Sequence, residues 1–242
     1  MKTRILLFFA FSLTLSASAQ LDAGEPVDIE KYRAAATEKW EQQITEFETA
    51  NEKESHPANS ILLVGSSSFK IWDTVAVDMA PYHPINRGFG GSRWSDVAVF
   101  ADRLITPHQF RAIVFFVGND ISGKPDDKTP EEVAALFTYV LAKVRAHNPT
   151  APVFFIAVTA TPKRWEAWPK TKAANTAAKA VCDNSENTYF IGTESIFLDA
   201  KGQPRPELFL KDQLHQNSEG YVRWAAAIKT HLDTVLDGAA NP

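Results

Sequence analysis

The stretch Ile61-Leu62-Leu63-Val64-Gly65-Ser66-Ser67-Ser68 is an apolar run that ends abruptly in a glycine and three hydroxyl side chains. An apolar run of this length, bounded by turn residues, is typical of a parallel strand that is covered on both faces. Open α/β sheets bind their ligands beyond the carboxyl ends of the strands. We therefore expect the three serines at the reactive edge of a parallel sheet, although Gly-Ser clusters are also typical of plain loops and helix caps.

Three later segments carry polar residues in similar positions. Residues 86–92 contain three glycines, which indicate either a tight turn or backbone amides that a ligand approaches closely. Residues 112–117 are predicted to be a buried strand, and Asn119 follows it directly. Asp212 and His215 lie three positions apart, just before an amphipathic segment.

Strand and helix patterns alternate along the rest of the chain, which predicts a parallel sheet flanked by helices. The clearest helix start is the capping box of residues 129–132, which has proline at the first helical position. Helices are predicted over residues 28–49, 94–104, 130–147, 171–182 and 221–236, and strands over 61–64, 82–85, 112–117, 153–158 and 189–192.

With Ser67, Gly91, Asn119 and the pair Asp212 and His215 in this order, the chain resembles the SGNH hydrolase superfamily, also called GDSL esterases and lipases. The resemblance covers nearly all of the chain after its first sixty residues, and it is closest to secreted bacterial members. It implies an α/β fold, a three-layer α/β/α sandwich with a mostly parallel, flavodoxin-like sheet. It also implies a carboxylic ester hydrolase that needs no cofactor.

The resemblance assigns a role to each of these residues. Ser67 would be the nucleophile, His215 the general base and acid, and Asp212 the carboxylate that orients the imidazole. The N–H groups of Ser67 and Gly91 and the side-chain amide of Asn119 would form the oxyanion hole.

The chain departs from the family pattern at two positions. The usual Gly-Asp-Ser is replaced by Gly65-Ser66-Ser67, and we expect the Ser66 hydroxyl to cap the following helix. Val117 stands where the family often has glycine, so we expect a shift in the backbone that leads to Asn119. Asp96 and Asp120 are predicted to fix the neighbouring loops through hydrogen bonds to the backbone.

The first nineteen residues have the pattern of a signal peptide. A basic start precedes an apolar stretch over residues 5–15, and the small residues 17–19 form a cleavage pattern. The sequence therefore predicts a secreted or periplasmic protein with one SGNH hydrolase domain over residues 20–242, of which 20–55 form a helical extension packed on it. The single cysteine, Cys182, cannot form an internal disulfide.

Composition excludes several classes of function. The net charge is −4, and no run of lysines and arginines is present, which argues against nucleic acid as a partner. No second apolar segment of the sequence is long enough to cross a membrane. No cluster of histidine, cysteine and carboxylate residues has the spacing of metal ligands, so we expect neither a metal nor a cofactor.

The segment 159–170 is expected on the same rim as the nucleophile, because it follows a predicted strand. An exposed Trp165 or Trp168 could bind a sugar ring or an acyl group, or both indoles could only pack the loop onto the domain. A short O-acyl ester of a carbohydrate, such as an acetyl ester, is the favoured substrate. Simple or lipid esters are an alternative, and a glycan-binding protein without hydrolase activity is an alternative of another class.

Overall fold

The computed structural model of the protein describes residues 27–236 and residue 238, so the predicted signal peptide lies outside the described residues. The described chain contains a five-stranded, all-parallel sheet in the order β2-β1-β3-β4-β5. This is the flavodoxin-like order, and it confirms the expected fold class. The strands are β1 Ser60–Gly65, β2 His83–Gly88, β3 Ala112–Phe116, β4 Val153–Ile156 and β5 Thr188–Ile191.

Helices cover both faces of the sheet and give the three layers. One hydrophobic core joins the sheet to α1, α4, α5, α6 and α7, and a second core joins its other face to α2, α8 and α9. The helices are α1 Glu30–Asn51, α2 Ser67–Lys70, α3 Val75–Asp78, α4 Trp94–Val99, α5 Ala101–Ile105, α6 Pro130–His147, α7 Trp168–Asp183, α8 Glu194–Phe197 and α9 Ser218–Leu236.

Strand β1 is apolar from Ile61 to Val64 because both of its faces are buried. Leu62 and Val64 point into the first core, whereas Ile61 and Leu63 point into the second, and all four are fully buried. Successive side chains of a strand face opposite sides of the sheet, so a central strand with helices on both faces needs no polar alternation.

Helix α1 packs against α4 and α5 on the outside of the first core. Its Ala36 and Ile44 are buried, and Trp40 is partly buried against the same core. The Arg103 guanidinium of α5 forms an ion pair at 2.7 Å with Glu48 of α1. The amphipathic pattern predicted for residues 28–49 therefore corresponds to a helix that packs on α4 and α5 through both apolar and charged contacts.

Several element boundaries differ from the sequence prediction, among them those of β4 and α7. Strand β4 ends at Ile156 instead of continuing to residue 158, because the Asn175 side chain takes both backbone groups of Val158. Its Oδ1 accepts the Val158 N–H at 2.8 Å and its Nδ2 donates to the Val158 carbonyl at 3.0 Å. Helix α7 begins at Trp168, three residues earlier than predicted, after a 3-10 helix over Pro162–Ala167.

The predicted capping box at the start of α6 is confirmed. The Thr129 hydroxyl accepts the Glu132 N–H at 3.2 Å, and the Glu132 carboxylate accepts the Thr129 N–H at 2.8 Å. The predicted helix 94–104 is instead divided at Phe100, whose backbone leaves the helical region between α4 and α5.

Among the helices of residues 27–236, none combines the length and the apolar character needed to cross a bilayer. The same residues contain no group of three or more histidine, cysteine or carboxylate side chains that could hold a metal ion.

Candidate active site

The turn after β1 presents Ser67 at the carboxyl edge of the sheet. Ser67 is the first residue of α2, directly after the extended residue Ser66. The turn is tied to its neighbours by the Asn86 side chain, which donates to the Phe69 carbonyl at 2.7 Å, and by the Tyr221 hydroxyl, which donates to the Ser68 carbonyl at 2.8 Å. These bonds from β2 and α9 fix the position of the Ser67 side chain.

The structure brings Ser67, His215 and Asp212 into one hydrogen-bonded row. His215 Nε2 lies 2.8 Å from Ser67 Oγ, and His215 Nδ1 lies 2.6 Å from Asp212 Oδ2. The second carboxylate oxygen of Asp212 accepts the backbone N–H groups of Leu214 and His215 at 3.0 and 3.1 Å. A serine, an imidazole and a carboxylate at these distances are the arrangement that nucleophilic catalysis requires.

The Asp212 carboxyl is held in its ionised form. Partial burial raises its pKa, but the hydrogen bonds from the His215 ring and from the two backbone N–H groups outweigh burial and lower the pKa to about 2. An ionised carboxylate accepts a hydrogen bond from the Nδ1–H group of His215. The neutral imidazole then has its unprotonated nitrogen, Nε2, facing the Ser67 hydroxyl.

Three hydrogen-bond donors lie around Ser67. Among the described residues, neither the Ser67 N–H nor the Gly91 N–H donates a hydrogen bond, and Asn119 Nδ2 makes only a long contact of 3.4 Å with the Ser92 carbonyl. Gly91 has a φ of 81°, a conformation that favours glycine. The preceding Gly90 passes so near the turn at Ser67 that a Cβ placed on it would lie 3.9 Å from Ser67 Cβ.

The expected role of Ser66 is wrong. Its hydroxyl makes no capping bond to α2 and instead accepts the Gly118 N–H at 3.3 Å. The Ser66 N–H also donates to the Phe116 carbonyl at 2.9 Å. Ser66 therefore links the turn that carries Ser67 to the loop that carries Asn119. Val117 is buried in the first core, and Asn119 still reaches the pocket beside Ser67.

Sequence reasoning missed the contact between Arg164 and Asn119. One guanidinium nitrogen of Arg164 donates to Asn119 Oδ1 at 2.7 Å, and another donates to the Gly118 carbonyl at 2.5 Å. The Asn119 oxygen is thus occupied by a cation, which fixes the orientation of the amide and leaves Nδ2 as the group that faces other acceptors. Burial lowers the pKa of Arg164. Its two hydrogen-bond partners are neutral, so neither of them forms an ion pair that would offset burial.

Two carboxylates fix the loops beside these donors, as predicted. Both oxygens of Asp120 accept the Trp94 N–H, at 3.0 and 3.1 Å, and Asp96 accepts the Arg93 N–H at 2.9 Å. Burial raises the pKa of Asp120 to about 7, and the hydrogen bond from Trp94 opposes that rise only in part.

A narrow pocket of about 30 Å³ opens beside Ser67 and His215. Trp168 forms part of its wall but is buried, with 8% of its surface exposed, which matches the alternative in which the indole packs the loop. Trp165 is half-buried, does not line this pocket and stacks on Trp168 with ring centres 6.2 Å apart. Here the two indoles pack the loop, and Trp168 closes the pocket.

The comparisons with known proteins agree with this geometry. The profile of the GDSL-like lipase/acylhydrolase family matches residues 64–223. The chain therefore belongs to the GDSL-like lipase/acylhydrolase family and is a carboxylic ester hydrolase. No curated protein sequence matches the chain.

Solved structures of similar fold include proteins from several organisms. A protein from Streptococcus pneumonia whose name refers to platelet activating factor has a TM-score of 0.70 at 19% identity, over 84% of this chain and 96% of that chain. A GDSL-like lipase from Bacteroides thetaiotaomicron has a TM-score of 0.64 at 15% identity, over 79% and 97%. A carbohydrate esterase of family 3 from Talaromyces cellulolyticus has a TM-score of 0.57 at 16% identity, over 74% and 99%.

Proposed function

We propose that the protein is an exported serine esterase that removes short acyl groups, acetyl above all, from carbohydrates through an acyl-enzyme. The observation that carries the chemistry is the position of His215, which lies within hydrogen-bond distance of both Ser67 and Asp212. A protein that only binds glycans has no use for a nucleophile, a base and an orienting carboxylate together.

Each step of the reaction uses a group in this row. Ser67 Oγ attacks the ester carbonyl while His215 Nε2 takes the hydroxyl proton. The tetrahedral intermediate collapses when the bond to the alcohol breaks, and the imidazolium returns the proton to the leaving oxygen. Water then attacks the acyl-enzyme, again with His215 as the base, and releases the acid and the free serine. The Asp212 carboxylate stabilises the imidazolium that forms in both halves of the reaction.

The negative oxygen of each tetrahedral intermediate requires donors that are already in place. The N–H groups of Ser67 and Gly91, which donate no hydrogen bond within the described residues, and the Asn119 side chain are the donors that we assign to this oxygen. Arg164 acts as a positioning residue, because it holds Asn119 Oδ1 and so directs Nδ2 toward the reacting carbonyl. Donors that are fixed before reaction need no reorganisation when the charge develops.

The size of the pocket supports a short acyl chain. Its volume is about 30 Å³, whereas a single water needs roughly 10–15 Å³ on the same measure. Val158, Thr161 and Trp168 close its walls. An acetyl group fits a space of this size, whereas a long acyl chain would need an apolar groove. Because Trp168 is buried, the exposed surface that would contact the sugar lies elsewhere.

The carbohydrate part of the proposal draws on two further arguments. Structures of similar fold include an acetyl esterase and carbohydrate esterases of family 3. The signal-peptide pattern of residues 1–19 predicts export, which would let the enzyme meet glycans outside the cytoplasm.

Two sets of substrates test this function. p-Nitrophenyl acetate, butyrate and octanoate measure the acyl chain, and an acetylated neutral oligosaccharide measures acetate release from a sugar. We expect kcat/KM to fall by at least tenfold from acetate to octanoate, and we expect acetate release from the sugar. Faster turnover of octanoate, or no release from the sugar, would contradict the short-chain or the carbohydrate part respectively.

A further inference from the structure

A second and larger cleft adjoins the pocket at Ser67. Its volume is about 350 Å³, and it shares Asn119, Arg164 and Leu214 with the small pocket. The described residues that line this cleft include five cationic side chains and no carboxylate. The cationic residues are Lys39, Arg93, Lys124, Lys163 and Arg164.

Most of this positive charge has no partner of opposite sign. Arg93 forms an ion pair with Asp126 at 2.7 Å, and the hydrogen-bond partners of Arg164 are a carbonyl and an amide oxygen, both neutral. The ion pairs that lysines make in the described part of the chain involve other lysines. Lys39, Lys124 and Lys163 therefore form no ion pair within the described residues, although Asp126, the partner of Arg93, also attracts Lys124.

The carboxylate of Asp127, which lies in the same loop as Lys124, is bound to the backbone of its own loop, and it also attracts the Arg164 guanidinium through space. It accepts the backbone N–H groups of Ser122, Gly123 and Lys124 at 2.7 to 3.1 Å. These bonds lower the pKa of Asp127 against the effect of burial, so the carboxylate stabilises the loop backbone. Lys124 of this loop therefore lines the cleft, while the Asp127 carboxylate is hydrogen-bonded to the loop backbone.

The concentration of cations is local. The chain as a whole has a net charge of −4, with 29 acidic and 25 basic residues. The cleft draws its cations from α1, from the start of α4, from the loop after β3 and from the 3-10 helix after β4. Folding brings these separate segments together at one place, the edge of the sheet where Ser67 lies.

The position of the cleft decides which part of a substrate it meets. Under the proposed function, the small pocket takes the acyl group, so the alcohol part of the ester leaves through the adjoining space. That space begins at Asn119 and Arg164, beside the Gly91 turn. A cluster of cations around a cleft raises the local concentration of anions and favours their binding.

We propose that the alcohol part of the natural substrate carries a negative charge, so that the enzyme deacylates acidic sugars. This inference rests on the proposed esterase function and adds the class of alcohol. A carboxylate of a uronic acid and a phosphate on a sugar share the required chemistry. The amines of Lys39, Lys124 and Lys163 bind this group while Ser67 attacks the neighbouring ester.

Three O-acetylated substrates of the same ring test the proposal: a uronic acid glycoside, its uncharged primary amide, and the corresponding neutral sugar carrying a phosphate. Acetate release gives kcat/KM for each. We expect the charged forms to exceed the amide by about tenfold, because three exposed ion pairs each add a modest amount, and we expect added salt to reduce this ratio. The larger of the two charged ratios identifies carboxylate or phosphate as the preferred group.

Two triple variants separate the cleft from charge in general. Replacing Lys39, Lys124 and Lys163 by glutamine should bring the ratio of charged to uncharged substrate close to one. The control removes the same charge at exposed lysines outside the cleft and should keep the wild-type ratio. The control positions are Lys53, Lys172 and Lys201.

The outcomes distinguish this inference from the proposed function. Equal rates on charged and uncharged esters, or equal ratios in both triple variants, would overturn the acidic-sugar proposal while the esterase function stands. Failure of the wild type to hydrolyse even the uncharged acetyl ester and p-nitrophenyl acetate would overturn both.

Discussion

Replacement of Arg164 tests how the oxyanion hole is built. Arg164→Met keeps most of the aliphatic volume and removes both hydrogen bonds, at 2.5 Å to the Gly118 carbonyl and at 2.7 Å to Asn119 Oδ1. The Asn119 amide then has no cation on its oxygen, and its Nδ2 retains only the contact of 3.4 Å with Ser92. The amide would spend part of its time with its oxygen toward the substrate carbonyl.

The size of the effect follows from the role of Asn119. Loss of one oxyanion donor lowers kcat by about 10²- to 10³-fold. Arg164 orients this donor without touching the oxyanion, so we expect Arg164→Met to lower kcat by roughly 10- to 100-fold, below the full effect of losing the donor. KM for a small neutral ester should change little, because the lost interaction forms only in the transition state.

The assay is steady-state hydrolysis of p-nitrophenyl acetate by a double-mutant cycle. The four proteins are wild type, Arg164→Met, Asn119→Ala and the double variant, each checked for folding by thermal unfolding. If Arg164 acts through Asn119, its replacement in the Asn119→Ala background should have little further effect on kcat. An equal loss of kcat in both backgrounds, or no loss in either, would refute the positioning role.

Three further predictions concern stability and reactivity. Gly65→Ala should destabilise the fold by about 3 kcal/mol in urea unfolding, because a Cβ there would lie 2.0 Å from the Phe116 carbonyl oxygen, whereas Gly192→Ala, with nothing within 4 Å, should have little effect. Burial raises the pKa of Asp120 to about 7, from roughly 3.9 in the unfolded chain. The stability of wild type relative to Asp120→Asn should therefore be greatest below pH 4, fall as the pH rises to 7 and stay level above it; a relative stability that rises over this range would contradict the burial argument. Burial also raises the pKa of the Cys182 thiol to about 12, so a disulfide reagent at pH 8 should leave the native thiol unmodified and react once the chain is unfolded.

The central strands could be predicted because burial on two faces leaves a direct mark on sequence. The run at residues 61–64 is apolar at every position, and the turn that follows places Ser67 beyond its end. The approach of His215 to Ser67 could not be derived from spacing, since 148 residues separate them. That expectation came from the family resemblance, and the structure gives the two atoms a separation of 2.8 Å.

Interactions between side chains of distant loops were the part that sequence could not show. Arg164 was expected on the rim near the site, but its bond to Asn119 joins residues 45 positions apart and depends on the path of both loops. The capping role predicted for Ser66 was wrong for a similar reason, because its hydroxyl accepts the N–H of Gly118 from another loop. Local propensity describes the capping that a serine can do, whereas tertiary contacts decide what it does.

The cationic cleft beside Ser67 could not be predicted from the sequence either. No run of lysines and arginines is present in the sequence, and a mildly acidic chain gives no reason to expect a cationic surface. The cations come from four segments that only the parallel sheet brings to one edge. Evenly distributed charge along a sequence can therefore still fold into a concentrated site.

The most direct test of the account is the identity of the nucleophile. Wild type and the variants Ser66→Ala, Ser67→Ala and Ser68→Ala would be incubated with a small fluorophosphonate, and their intact masses and p-nitrophenyl acetate turnover compared. We expect one adduct on wild type, Ser66→Ala and Ser68→Ala, and neither adduct nor turnover with Ser67→Ala. An adduct that persists in Ser67→Ala, or a folded wild type that neither reacts nor turns over the ester, would contradict this expectation.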